Sequence, residues 1–495
     1  MDEGLGAERI GPGRRLAAKW MLAAAALLFA CSGAESSDGA GGTVASDGSV
    51  GGDASVGGSA GAASGGSAGV ASGGIAGGSA GAASGGVAGA STGGAAGSGG
   101  AAGSGGAAHV CAGTAPACPA SSGVTTSGGL VSIARCAFPL DTGDEWQSLA
   151  PSLAGLATKL PKVTLSQLLG DLNRTPIPVT SVPGNPPGVS IAFRWDKGED
   201  DKPYWIPQGI TGSADAAASG MVAGRRLVLV SFYYDAAKHP GSKGEKGVRI
   251  AIVDVTNPKA LKYRFALLVE PTGSGGAASI KPIVIHAGGM AWVGDLLYVA
   301  DTGKGFRVFD MKQIFRVDTG VDAIGCSGTG CTAGLYKYVL PQVGAYRHAS
   351  KCSPRFSFVS LDRGSTPATL VSGEYCSGTA CSAPLAGRLF RWPVDLASGR
   401  IDGPRTWPES AFFAGHPQLQ GAAFVGSTAY QSSSAPAAGK GALYRVQVGK
   451  TKTSAWIDAP EDLMVDTPNG LLWSLSEGTS NRFVFGAKLS SYPPP

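Results

Sequence analysis

Residues 286–311 read HAGGMAWVGDLLYVADTGKGFRVFDM, and this stretch decides the fold. One short apolar run ends at the turn Gly294-Asp295, a second run follows it, and a third begins near Arg307. Short runs rich in β-branched and aromatic residues, bounded by Gly and Asp, predict β-strands joined by tight turns. The stretch therefore predicts three consecutive antiparallel strands of one sheet.

The same order of runs and turns occurs five times between Gly188 and Pro495. Equivalent positions in the five copies are Gly209, Gly289, Phe356, Gly421 and Asp462. A fourth apolar run follows several copies, at residues 262–270, 335–343 and 453–459. Sequence repeats of this kind predict four-stranded sheets arranged as the blades of a propeller.

The two ends of the repeat region complement each other. The chain stops at Pro495 without a fourth run after the fifth copy, whereas the strand-like segment 189–196 has no partner of its own. We expect this segment to complete the last sheet, because closing the ring leaves no open edge. Residues 188–495 are thus predicted to form an all-β, five-bladed β-propeller closed by an N-terminal strand. Six blades are the alternative, since the first copy is long enough to hide another.

The repeat also resembles known families. GDLLYVAD at 294–301, followed by RVFD at 307–310, resembles the blades of NHL-type and gluconolactonase-like propellers. The wider run from Trp205 through Leu475 resembles an uncharacterised family of exported bacterial β-propeller proteins. Both resemblances imply the propeller fold, but one fold serves many functions and neither resemblance identifies an activity.

Residues 1–31 have the features of a lipoprotein-type signal peptide. Arg14, Arg15 and Lys19 precede an apolar run that ends at Cys31. This run is too short to cross a bilayer comfortably. Its end, LFACS, resembles the lipobox of bacterial lipoproteins, which implies lipidation of Cys31; ordinary cleavage near Ala30 is the alternative. We expect an exported outer-membrane or cell-surface lipoprotein that meets the membrane through its lipid anchor, or otherwise an extracellular protein.

Composition divides the region before the repeat. Residues 32–108 are nearly all Gly, Ala and Ser, so they predict a disordered, low-complexity tether. Residues 109–187 are predicted to form a small Cys-containing helical preface, because 144–160 and 164–173 have apolar residues at helical spacing and Thr164 is a plausible N-cap. The net charge of +5 comes without a Lys/Arg cluster, which argues against a nucleic-acid partner.

Eight cysteines remain after Cys31, and this even number in an exported chain predicts four disulfides. Two pairs are indicated by the matching motifs CSGTGC and CSGTAC, whereas the other four cysteines allow three pairings that the sequence does not distinguish. The expected pairs are Cys326–Cys331, Cys376–Cys381, Cys111–Cys118 and Cys136–Cys352. Zinc ligation is the alternative for the short spacings, but no histidines accompany them.

Propeller geometry brings two sets of polar residues to one face. The connections that lead into each first strand carry the candidate ligand-binding residues Gln208, His286, Arg355, Gln420, Glu461 and Asp462. The connections between second and third strands carry the acids Asp235, Asp301, Glu374 and Glu477. Amides and carboxylates suit sugar hydroxyls, and carboxylates suit a divalent cation such as calcium, for which the candidate ligands are Glu461, Asp462, Asp301 and Glu374. The alternative for each residue is a structural role in a turn or between blades.

No nucleophile elbow, zinc-protease motif or phosphate-binding glycine loop occurs in the folded region. We therefore expect a surface-displayed or secreted binding module for glycan or protein ligands. The alternative is a metal-assisted hydrolase or lactonase at the mouth of the central channel, with His286 as a base. A purely structural role is a third possibility.

Overall fold

The computed structural model describes residues 111, 116–120, 129–328, 330–377, 387–437 and 440–495. The predicted signal peptide, Cys31, the tether and Cys381 lie outside the described residues. Val110–Pro495 form a single unit by their contacts. Within the part of the chain that is described, no helix is long and apolar enough to cross a membrane.

The described chain is mostly β, which confirms the predicted fold class at this level. Its strands form antiparallel groups that we number as units 1 to 5, and the fourth strands of units 1 and 2 also pair in parallel, so these two units share one sheet. Unit 1 contains Trp205–Gly212, Leu227–Tyr234, Val248–Asp254 and Lys262–Thr272. Unit 2 contains Met290–Val293, Leu296–Asp301, Gly305–Asp310 and Tyr338–His348. Unit 3 contains Phe358–Asp362, Thr369–Gly373, Arg388–Pro393 and Ser410–Phe413. Unit 4 contains Leu419–Val425, Thr428–Ala437, Lys440–Gln447 and Lys450–Trp456.

Unit 5 combines strands from both ends of the described chain. Its first three strands are Pro460–Asp466, Leu471–Ser476 and Phe483–Lys488. The fourth is Val189–Arg194, which pairs antiparallel with Phe483–Lys488. Residues separated by almost 300 positions thus lie side by side in one sheet.

Side-chain alternation explains how the units pack. Successive residues of a strand point to opposite faces, so a strand buried on both faces is apolar along its length. In unit 1, Leu227 and Leu229 pack in a core cluster with Trp292 of unit 2, whereas Val228 and Val230 pack with Trp473 of unit 5. Three further clusters combine residues of units 2 and 3, 3 and 4, and 4 and 5.

The first strands of the five units contact one another in cyclic order, with unit 5 meeting unit 1. Glycine allows this close approach. A side-chain carbon added to Gly209 would lie 2.8 Å from Cα of Gly289, and one added to Gly421 would lie 2.7 Å from Cα of Asp462. Three of the five equivalent positions in the sequence repeat are therefore glycines, and at these positions strands of neighbouring units touch.

The region before Val189 contains the predicted helices and several short strands. The helices are Glu145–Ser148, Ala150–Lys159 and Leu165–Leu169, and Thr164 forms a capping box with Gln167 at the start of the last one. The short strands extend along the outer edges of the units. They are Val131–Ser132 on unit 3, Leu140–Thr142 on unit 2, Lys162–Val163 on Ile314–Arg316, and Ile177–Pro178 on unit 5.

The remaining elements lie in connections. The helical turns are Lys197–Asp200 and Ser213–Ala216, with 3₁₀ turns at Arg135–Ala137, Ala236–Lys238, Gly275–Ala277, Thr467–Asn469 and Leu489–Ser491. The short strands are Ser279–Pro282, Ile324–Ser327, Gly330–Ala333 and Arg405–Thr406.

Three disulfides join described cysteines. Cys326–Cys331 is confirmed and closes a small hairpin. The predicted pairs Cys111–Cys118 and Cys136–Cys352 are wrong, because the bonds are Cys111–Cys136 and Cys118–Cys352. Cys136, between Val131–Ser132 and Leu140–Thr142, is bonded to the earlier Cys111, so Cys118 is the partner of Cys352. Cys376 is also disulfide-bonded. Disulfides are typical of proteins that fold in an oxidising compartment.

Candidate functional site

One face of the domain, which we call the mouth face, carries the connections that lead into the first strands and those between second and third strands. The antiparallel order of each unit places these two kinds of connection at the same end. All residues of the two predicted polar sets belong to such connections or to the adjoining parts of the strands. The mouth face is therefore where the candidate site must be assembled.

β-Bulges occur at the same place in three first strands. The register shifts between Pro207 and Ile210 in unit 1, between Leu419 and Gly421 in unit 4, and between Pro460 and Leu463 in unit 5. The residues inside these bulges are Gln208, Gly209, Gln420, Glu461 and Asp462. A bulge redirects side chains that would otherwise alternate between sheet faces. Four of the six predicted ligand-binding residues thus lie in bulges.

Unusual backbone angles are concentrated at the mouth face. Eight non-glycine residues in the described part of the chain have positive φ, and four of them precede a first strand: Ala287 (55°), Ser353 (42°), Gln418 (50°) and Ala459 (49°). A fifth, Ser480 (58°), lies between the second and third strands of unit 5. Left-handed conformations of non-glycine residues are costly and cluster at functional sites.

Asp462 lies where three units meet. Its side chain is fully buried, and Oδ2 accepts hydrogen bonds from the backbone N–H groups of Ile210 (3.1 Å) and Met290 (3.3 Å). Oδ1 has no hydrogen-bond partner. Burial raises the pKa of Asp462 well above its usual range, although the backbone hydrogen bonds oppose this effect. Asp462 is thus placed to hold the first strands of units 5, 1 and 2 together.

Gln208 and Glu477 form a second contact between units 5 and 1. Gln208 is buried, and its Nε2 donates to Oε2 of Glu477 at 3.0 Å. Burial raises the pKa of Glu477, and the hydrogen bond from Gln208 partly offsets this. The pair places an amide and a weakly acidic carboxyl beside the mouth.

Three predicted residues from units 2, 3 and 4 remain accessible. His286 and Gln420 are half-buried, Arg355 is exposed, and none of their side-chain polar atoms forms a hydrogen bond or ion pair with the described residues. The His286 ring packs against Tyr233, with ring centres 4.9 Å apart. Burial lowers the pKa of His286 to about 4, so its imidazole is neutral near pH 7.

Three of the four acids predicted between second and third strands are paired with cations. Asp301 bonds to Arg307 at 2.8 Å, Glu374 bonds to Arg388 at 2.6 and 2.7 Å, and Asp235 pairs with Lys238 at 3.1 Å. The described residues include no group of three or more His, Cys, Asp or Glu side chains that could hold a metal ion. Of the four candidate cation ligands, Asp301 and Glu374 therefore pair with arginines, and Asp462 accepts from backbone N–H groups.

Several buried polar groups in the first two strands of unit 1, and in the connection between them, are not marked by the sequence pattern. The Thr211 hydroxyl accepts from the N–H of Trp292 at 3.0 Å and donates to Asp215 at 2.7 Å. Burial raises the pKa of Asp215 to about 8. Ser231 accepts from the N–H of Gly209 and donates to the carbonyl of Ala287, both at 2.8 Å. Apolar periodicity does not mark such positions, although Thr211 and Ser231 interrupt otherwise apolar strands.

No protein-family model matches the chain, and no curated protein matches it in sequence. Solved structures that it resembles include a gluconolactonase from Xanthomonas campestris, at 11 % identity and TM-score 0.28, covering 64 % of this chain and 90 % of that chain. The calcium-binding protein regucalcin from Agrobacterium tumefaciens matches at 10 % identity and TM-score 0.28, covering 63 % and 97 %. A β-xylosidase matches at 8 % identity and TM-score 0.27, covering 58 % and 93 %. Similarity at this level assigns no activity to the chain.

Proposed function

We propose that units 1 to 5 are the blades of a five-bladed β-propeller that Val189–Arg194 closes. Each pair of neighbouring units shares a core cluster, including units 5 and 1. The first strands contact one another in a cycle, and Val189–Arg194 supplies the fourth strand of unit 5. A closed ring holds the five incoming connections in fixed positions around one mouth.

We infer that this mouth is a binding site for a glycan. The observation that carries the proposal is that His286, Arg355 and Gln420, from three successive units, present polar atoms with no partner among the described residues. Gln420 lies in a bulge, and each of the three side chains has a residue in left-handed conformation one or two positions away, which favours a preorganised backbone. Hydrogen-bonding groups on one face of neighbouring units suit the hydroxyls of a saccharide.

A glycan fits the mouth better than a protein ligand does. Protein interfaces depend on clustered apolar and aromatic anchors. The exposed large apolar residues of the described chain are spread over several units and both faces, and they include Val284, 60 % exposed, near the mouth. Binding of a protein instead of a saccharide is an outcome that the experiment below would reveal.

Metal-assisted hydrolysis or lactone opening receives less support. A catalytic metal needs several protein ligands with an open position for substrate or water. The acids expected to provide them are neutralised by Arg307 and Arg388, so the donor set does not fit the ion. Binding is therefore the function that the side chains at the mouth support best.

We also propose that the protein is exported and held at the cell surface by a lipid on Cys31. The disulfides of the described chain support an oxidising destination. Metabolic labelling with a tritiated fatty acid tests this placement. The label should be incorporated into the wild-type chain and be lost in Cys31→Ser; labelling of both proteins would refute it.

A thermal-shift screen of the full chain against neutral and acidic oligosaccharides tests glycan binding. A saccharide that binds the folded state should raise the melting temperature in a concentration-dependent way. His286→Ala and Gln420→Ala should reduce this shift. Lys259→Gln, an exposed residue in the turn between the third and fourth strands of unit 1, should not. Equal shifts in all variants, or none with any saccharide, would refute the proposal.

A further inference from the structure

The charge balance at the mouth differs from that expected of a cation site. Asp235, Asp301 and Glu374 are each paired with a Lys or Arg side chain. Glu477 accepts a hydrogen bond from Gln208, and His286 is half-buried without a charged partner. Arg355 is exposed at the mouth face without a counter-ion among the described residues, and so are Lys243, Lys304 and Lys351; Arg355 is the guanidinium of this set.

The backbone beneath Arg355 is held from several sides. Cys352 is tied to Cys118 by a disulfide, and its carbonyl accepts from Arg388 at 3.1 Å. The N–H of Arg355 donates to Oε1 of Glu374 at 2.9 Å. Phe356 is buried, and its N–H donates to the carbonyl of Thr302 at 3.0 Å. These contacts hold the backbone from which the Arg355 side chain extends, and its guanidinium has no partner among the described residues.

Glu374 takes part in this support without neutralising Arg355. Its two oxygens accept from Nε and a terminal nitrogen of Arg388, and it also accepts from the N–H groups of Arg355 and Arg388. These four hydrogen bonds occupy the acceptor positions of the carboxylate. Within the described part of the chain, Glu374 therefore does not neutralise the Arg355 guanidinium.

We propose that the ligand is an acidic saccharide whose carboxylate binds the Arg355 guanidinium, while its hydroxyls bind His286 and Gln420. This inference rests on the proposed glycan-binding function and specifies its ligand class. A planar guanidinium can donate two parallel hydrogen bonds to a carboxylate. Neutral imidazole and amide groups provide both donors and acceptors, as hydroxyl groups require.

Calorimetric titration of the full chain with oligogalacturonate, and with a neutral galactose oligomer of the same length, tests the inference. The acidic oligomer should bind more tightly, and Arg355→Gln should weaken its binding about tenfold or more, as loss of a charge-assisted contact does. Arg355→Gln should weaken binding of the neutral oligomer much less, because that oligomer has no carboxylate for the guanidinium. The melting temperature should be unchanged, because the Arg355 side chain forms no hydrogen bond or ion pair with the described residues.

Arg316→Gln is the matched control, because Arg316 is also exposed but follows the third strand of unit 2, away from the mouth face. Equal loss in both arginine variants would indicate non-specific attraction and overturn the inference. Equal affinity for the acidic and neutral oligomers would also overturn the inference, but it would leave the glycan-binding function intact. Inorganic phosphate or a sulfated oligomer that competes as well as oligogalacturonate would overturn the carboxylate assignment. Binding of no oligomer would overturn both proposals.

Discussion

The carboxylate of Asp462 accepts a hydrogen bond from the backbone N–H of Ile210, and this contact joins the last unit of the chain to the first. The same oxygen accepts from Met290, so one buried side chain meets the first strands of two other units. Because Oδ1 has no partner and burial raises the pKa, the group satisfies backbone donors without needing to be charged.

Asp462→Asn should therefore be tolerated, whereas Asp462→Ala should not. Asparagine keeps an oxygen for the two N–H groups and is neutral, while alanine leaves two buried donors unsatisfied at about 1–3 kcal/mol each. Urea denaturation should show a small change for Asn and a loss of about 2–6 kcal/mol for Ala. A large loss for both variants would mean that the negative charge itself is required.

A second test concerns the segment that links Val189–Arg194 to Trp205–Gly212. Glu199 in this segment bonds to Arg249 at 2.7 Å, and both side chains are buried. The guanidinium carbon of Arg249 also lies 3.7 Å from the ring centre of Phe265. Breaking a buried pair from one side leaves an uncompensated charge, so Glu199→Gln should cost about 3–5 kcal/mol in urea denaturation.

Adding Arg249→Met to Glu199→Gln should recover part of that loss, because the second change removes the stranded charge. Asp295→Asn is a control, since Asp295 pairs with Lys312 at an exposed position, and it should cost less than about 1 kcal/mol. If Glu199→Gln were as mild as Asp295→Asn, the buried pair would not stabilise the link.

The sequence predicted the repeat well because a short apolar run bounded by turn residues is a local signal. Leu227, Val228, Leu229 and Val230 are apolar in succession since the strand is buried on both faces, and the pattern is readable without knowing the partners. The partners of Val131–Ser132 and Leu140–Thr142 could not be read in this way. These strands are only a few residues long, and their pairing depends on the path of the chain around units 3 and 2.

The sequence shows acids near the ends of second strands but not what neutralises them. It also has an Arg near the start of several third strands, and no pattern in the sequence links the two. In unit 2 the acid and the arginine form the ion pair Asp301–Arg307, and in unit 3 they form the ion pair Glu374–Arg388. Only the register between adjacent strands shows that these acids lie beside arginines and are neutralised by them.

The pKa of Asp215 predicts a specific pH dependence of stability. Its folded value of about 8 lies well above the ordinary value near 4, so unfolding at neutral pH releases a proton. This group therefore favours folding most at low pH, and its contribution is lost as pH rises from about 4 to about 8, on the order of 5 kcal/mol in total. Above about pH 8 its effect should be constant.

Asp215→Asn should remove this dependence and increase stability at pH 7, because a neutral amide replaces a carboxyl that must keep its proton. Urea denaturation from pH 4 to pH 9 measures the effect as the difference between wild type and variant. The difference also corrects for other groups, including His348, whose lowered pKa of about 4 gives the opposite slope between about pH 4 and pH 6.5. A constant difference across the range would contradict the prediction.

The disulfide Cys118–Cys352 should contribute more to stability than Cys326–Cys331. The first closes a loop with a sequence separation of 234 residues and the second one of 5 residues. A cross-link that closes a longer loop removes more conformational entropy from the unfolded chain, which gives ~5 kcal/mol for the first bond and ~2 kcal/mol for the second. The comparison uses the paired variants Cys118→Ser with Cys352→Ser, and Cys326→Ser with Cys331→Ser, in urea under oxidising conditions.

Removal of Cys118–Cys352 also frees the backbone beneath Arg355, so we expect weaker oligogalacturonate binding in that variant alone. Similar losses of stability in the two variants, with binding unchanged in both, would show that the long-range bond neither restrains the unfolded chain nor supports the mouth.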